Sequence, residues 1–97
     1  MKGKIFACAL ILVALCSMLA LGAGDVRIQE WPVPTADSFP HDPAVTPDGA
    51  LWYTGMRANT LGRLDPLTGQ FREFPLPVGS GPHGLVADPQ GRIWFTA

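Results

Sequence analysis

Sixteen residues of this chain are written twice. The stretch PHDPAVTPDGALWYTG, Pro40 to Gly55, lies over PHGLVADPQGRIWFTA, Pro82 to Ala97, at a constant offset of 42. Pro, His, Pro, Gly, Trp and Thr recur in step. A repeat of this period marks an architecture of stacked units, in which each unit buries apolar faces against its neighbours.

The unit itself is built of strands and turns. After residue 24, Pro or Gly interrupts every window long enough to carry a helical period. In the second copy, LVA (Leu85 to Ala87) reads as a short strand, DPQG (Asp88 to Gly91) as a turn and RIWFTA (Arg92 to Ala97) as the returning strand. Pro89 suits the second turn position because its ring presets φ, and Gly91 accepts the left-handed backbone of a bulged hairpin. Pro47 and Gly49 hold the same places in TPDG, between PAV and ALWYTG. A third hairpin follows: TLGRLD, the turn PLTG, then QFREFPLP over residues 70–77. The last of these strands has a forerunner in RIQEWPVP over residues 27–34, offset by 43.

One period thus holds four short strands, expected at 43–46, 50–55, 59–65 and 70–75. Four strands in about 42 residues is the arithmetic of a β-propeller blade. ALWY and RIWF set large side chains on both faces of a strand, which requires both faces to be covered. Trp52 and Trp94 are expected to fill equivalent slots between blades. A β-sandwich also uses short strands at this spacing, but it does not need the same residues in every fourth strand. The expected fold is therefore all-β: a β-propeller fragment of about one and a half four-stranded antiparallel blades, preceded by a signal-peptide helix. The repeat units run about 27–77 and 78–97, within an incomplete propeller over residues 24–97. Rings close with roughly four to eight blades, or about 170 to 340 residues at this period, so the reading expects a fragment. The alternative is a ring shared between short chains.

The first 23 residues read as a secretory signal. Lys2 and Lys4 precede an apolar run, Ile5 to Leu21, and the small residues Gly22, Ala23 and Gly24 follow. An uncleaved anchor is the other reading of such a run. Cys8 and Cys16 both fall inside the signal, so the remainder is expected to enter a periplasmic or extracellular compartment without a disulfide. Beyond residue 23 there are five arginines, eight acids and no lysine, a balance of 5 − 8 = −3. That composition excludes nucleic acid as a partner and gives no reason for membrane contact once the signal is removed.

His41 and His83 recur at matched positions, just before the expected innermost strand of each unit, at one mouth of a central channel. Neutral imidazoles there can contact a ligand, hold a metal or move a proton. Their recurrence equally suits a repeat role, in which each bonds to a neighbouring loop. Asp37, His41, Asp42 and Asp48 contain metal-type donors without a recognised spacing, and acids beside turn prolines are ordinary Asx chemistry, so no metal site is assigned. Arg63 and Asp65 are read as solvated outer surface. GSGPHG, residues 79–84, satisfies G-x-G-x-x-G, but a strand follows it rather than a helix, which excludes a dinucleotide loop.

Taken together, TPDGALWYT, ANTLGRLDPLTGQFREFPLP and GPHGLVADPQGRIWFT resemble the streptogramin B lyases, also called virginiamycin B lyase-like proteins. The resemblance covers essentially all of residues 27–97. It implies a seven-bladed propeller, a small-molecule or cyclic peptide ligand, and Mg²⁺-dependent elimination of the ester in a cyclic depsipeptide. In that family the base and metal ligands lie on later blades, so the resemblance places no catalytic residue in this chain and implies that these blades alone are inactive. The family often carries Glu directly after its W-F-T strand, where this chain has Gly55. Blade signatures are shared with binding propellers of the NHL or WD type and with gluconolactonase-like metal-dependent hydrolases, and both remain open.

Overall fold

The computed structural model describes residues 24–97, so the expected leader over residues 1–23 lies outside it. Residues 24–30 are exposed and carry no regular secondary structure, while Trp31–Ala97 forms a compact unit of its own. That unit is all-β. Its strands are β1 (Pro40–Val45), β2 (Leu51–Gly55), β3 (Thr60–Asp65), β4 (Gln70–Pro75), β5 (Leu85–Ala87) and β6 (Ile93–Phe95). The first four make one antiparallel sheet in the order β1-β2-β3-β4, an up-and-down meander, and β5 and β6 begin a second.

The turns form as their residues dictate. Gly49 N–H donates to Thr46 O at 2.9 Å, and Gly91 N–H donates to Asp88 O at 2.9 Å, so the two copies close in the same way. Both glycines stand at positive φ, 82° and 78°, where a side chain would be strained. The longer PLTG loop closes with Gly69 N–H donating to Asp65 O at 2.8 Å.

Each face of the four-stranded sheet is covered by a different segment. On one face Trp52 stacks on Phe74 with ring centroids 5.6 Å apart, and Pro89, Gln90 and Gly91 of the second sheet stand opposite Trp52. The buried Thr54 lies on this face, and its hydroxyl donates to His83 O at 2.8 Å. On the other face Tyr53 packs edge-on against Phe71 and closes over Gly62, where a Cβ would meet the phenol ring at 1.8 Å. Trp31 and Val33 lie against this face, with Leu51, Leu64 and Phe71. Thr35 donates to Glu73 through its hydroxyl at 2.5 Å, and the Tyr53 hydroxyl donates to the same carboxylate at 3.2 Å.

Two expectations are corrected. The segment over residues 27–34 repeats the β4 sequence but forms no strand. A strand requires a neighbour to take its hydrogen bonds, and β4 already occupies the outer edge of the first sheet. Its tryptophan end instead crosses the face of the sheet. The inner strand also begins earlier than expected, at Pro40, so His41 lies inside β1 and not before it.

Candidate functional site

The site grows from an irregularity in β1. Pro40 pairs with Gly55 and Pro43 with Tyr53, so β1 advances by three residues while β2 advances by two. The extra residue is a β-bulge. In a regular strand His41 and Asp42 would point to opposite faces. At the bulge they meet, with His41 Nδ1 2.7 Å from Asp42 Oδ1. Two prolines are compatible with this strand because β1 is an edge, where a missing N–H breaks no ladder.

His83 arrives from the second copy. Its N–H donates to Thr96 O at 3.0 Å, its carbonyl accepts from Thr54, and the preceding Pro82 is fully buried. These contacts fix the backbone at the entry to β5 and set the imidazole against that of His41. The ring centroids are 3.7 Å apart and the planes are tilted by 38°. The ligand-type atoms of His41, Asp42 and His83 all lie within 4.8 Å of one another. The His41 and Asp42 side chains retain 33% and 44% of their exposure, so solvent and solutes reach the cluster.

Neighbouring features shape its surroundings. Phe39 stands 6.3 Å from His41, with the Arg57 guanidinium 4.8 Å over the Phe39 ring. Asp42 also lines an open groove of about 370 Å³ with Gly84, Leu85, Trp94, Phe95 and Thr96. The groove is largely apolar, with one carboxylate at its rim.

The other candidate residues divide. Asp37 and Asp48 do not join the cluster. Asp48 accepts from the Thr46 hydroxyl at 2.5 Å, from Ala50 N–H at 3.1 Å and from Arg63 at 3.0 Å. The Thr46 bond, then the Ala50 amide and then Arg63 lower the Asp48 carboxyl from its usual 3.8 to about 2. Arg63 is thus engaged across the sheet in an ion pair, more than the solvated surface expected of it. Asp65 accepts from Leu67 N–H at 2.9 Å and shapes a turn. Trp52 and Trp94 hold equivalent register, opposite Ala44 and Val86. Their contacts differ: Trp52 is stacked on Phe74, whereas Trp94 is 58% exposed and donates from Nε1 to Asp88 at 3.1 Å. Pro47, Pro89, Gly49 and Gly91 serve the turns.

Sequence reasoning placed His41 and His83 at equivalent sites and set Asp42 with His41, but in a group that held Asp37 and Asp48 and lacked His83. The available signal was its adjacency to His41 between two prolines, Pro40 and Pro43, which mark an interrupted edge strand.

A four-stranded meander followed at constant spacing by a second sheet packed on its face is the blade architecture of a β-propeller. The chain belongs to the virginiamycin B lyase family, whose family profile matches residues 18–97. Virginiamycin B lyases of Bordetella pertussis and Bordetella bronchiseptica are each 43% identical to it over 56 residues, which is 58% of this chain and 18% of each relative. Among solved structures it is similar to the virginiamycin B lyase of Staphylococcus aureus, with TM-score 0.68 and 32% identity, over 76% of this chain and 25% of that one. A catalytically inactive variant of the S. aureus enzyme with quinupristin gives TM-score 0.67 at 32% identity, over 75% of this chain and 25% of that one. The chain therefore spans about a fifth to a quarter of the proteins it matches.

Proposed function

We propose that these residues are wall blades of an exported streptogramin B lyase-like propeller that opens a cyclic depsipeptide by elimination. The observation that carries this reading is the combination of a family match over residues 18–97 with a 32% identical superposition on a solved lyase. In such an elimination a base takes a carbon-bound proton, a carbon–carbon double bond forms and the bond from carbon to the ester oxygen breaks. The carboxylate leaves and no water is consumed.

The part taken by this chain is positional. The bulged β1 and the start of β5 present His41 and His83 side by side on rigid backbone, and Leu85, Trp94 and Phe95 add apolar surface beside them. A ligand with both amide and apolar groups finds hydrogen-bonding and hydrophobic contacts there. Mg²⁺, implied by the resemblance, takes oxygen ligands in octahedral geometry. Among the described residues the metal-type cluster offers two imidazoles and one carboxylate, a poor fit for that ion. No step of this reading runs through it.

The test is mass spectrometry of quinupristin incubated with a propeller expressed from the reading frame that contains these residues. A linear product of unchanged mass supports elimination. A product heavier by one water marks a hydrolase, and an unconverted ring that stays bound marks a binding propeller; either result overturns the lyase reading. The 97-residue chain alone is expected to leave the ring intact.

A further inference from the structure

We infer that His41, Asp42 and His83 form a binding site for a transition-metal dication of the Zn²⁺ type, on the surface given above to the ligand but with no part in the bond-breaking step. The sequence contains two histidines, and the fold brings both to one point, although they are 83 − 41 = 42 residues apart. A carboxylate stands beside them, with ligand-type atoms of all three residues within 4.8 Å of one another. Around Zn²⁺, ligands at about 2.0 to 2.2 Å in tetrahedral array stand about 3.3 Å from each other. Binding requires the three side chains to close from their present separation toward that spacing.

The donor set selects the ion. Two imidazoles and one carboxylate suit Zn²⁺, Ni²⁺ or Cu²⁺, whereas Mg²⁺ and Ca²⁺ require more oxygen ligands. Three protein ligands leave a fourth position for water or a ligand donor, the arrangement of an open zinc centre. The support is rigid on both sides: the bulge fixes His41 and Asp42 relative to each other, while Thr54, Thr96 and the buried Pro82 fix His83. Preorganised ligands of this kind bind metal without first ordering the chain. The apolar groove that Asp42 lines opens beside the cluster, so a metal-bound ligand would have room to extend over Trp94 and Phe95.

The test is calorimetric titration of Zn²⁺ into the full chain, purified without a histidine tag and carrying Cys8→Ser and Cys16→Ser to remove competing thiols. The expected result is a single Zn²⁺ per chain, no heat with Mg²⁺, and affinity reduced at least about tenfold in each of His41→Gln, Asp42→Asn and His83→Gln. Histidine-ring NMR on the same background without these three changes gives a second readout, independent of how the variants fold. Both ring spin systems should shift together, in proportion to the Zn²⁺ added. Absence of Zn²⁺ binding, ring signals that do not move, or unchanged affinity in folded variants would each overturn the site.

Discussion

The hydroxyl of Thr54 donates to the carbonyl of His83 across 2.8 Å, joining the centre of the first sheet to the segment that enters the second. Thr54 is fully buried, so its hydroxyl cannot readily exchange this bond for water. The same bond holds the backbone of one of the two paired histidines.

Replacing Thr54 by Val keeps the shape and strands the His83 carbonyl. The expected loss is about 0.5–1.5 kcal/mol, the net contribution of one intramolecular hydrogen bond. Urea unfolding of the variant against the parent chain measures it, and His83 ring signals should broaden or shift in the same sample.

Gly62 lies beneath the ring of Tyr53, with a Cβ there placed 1.8 Å from Cζ. Gly62→Ala forces Tyr53 from its position over the sheet and breaks its bond to Glu73. A loss of about 1–3 kcal/mol is expected for this overpacking. The double variant Gly62→Ala, Tyr53→Leu should recover part of it, because a shorter side chain relieves the collision.

Asp48 should leave a signature in acid. Its folded carboxyl is held at about 2 by Thr46, Ala50 and Arg63, below the ordinary 3.8. A depressed folded value means that the contribution to stability is present above 3.8 and disappears as pH falls toward 2. Stability measured across that window should fall less steeply in Asp48→Asn than in the parent.

Tyr53 should do the opposite in alkali. Burial, followed by the Glu73 charge and its hydrogen bond, raises the phenol from 10.0 to about 12. A raised folded value gives stability that is present below 10 and is lost as pH rises through 12. The sequence holds one tyrosine, so phenolate absorbance reports this group alone. Glu73→Gln should move the absorbance transition to lower pH.

The hairpins were legible because their information is local. Pro47 with Gly49, and Pro89 with Gly91, name their turns without reference to the rest of the chain, and β4 and β5 occupy the residues expected of them. The inner strand was harder. Pro40 and Pro43 argue against pairing until the edge position of β1 is known, and that position is a property of the whole sheet. The segment over residues 27–34 shows the converse: a β4-like sequence makes no strand where nothing accepts its ladder. The histidine pair lay between these cases. Its two members were visible through the repeat, but the 3.7 Å approach depends on a bulge and on Thr54, neither of which follows from spacing.

The prolines of β1 also bear on how such a chain coexists with its own copies. A strand edge is open to a second strand through its row of N–H and C=O groups, and chains made of short β-units carry many such edges. At Pro40 and Pro43 that row lacks two donors, and the bulge between them throws the remaining groups out of step. A strand approaching from another molecule finds no continuous register to follow. The distortion that brings His41 beside Asp42 thus also works against strand addition at the inner edge, and straightening it would reopen that edge to a second molecule.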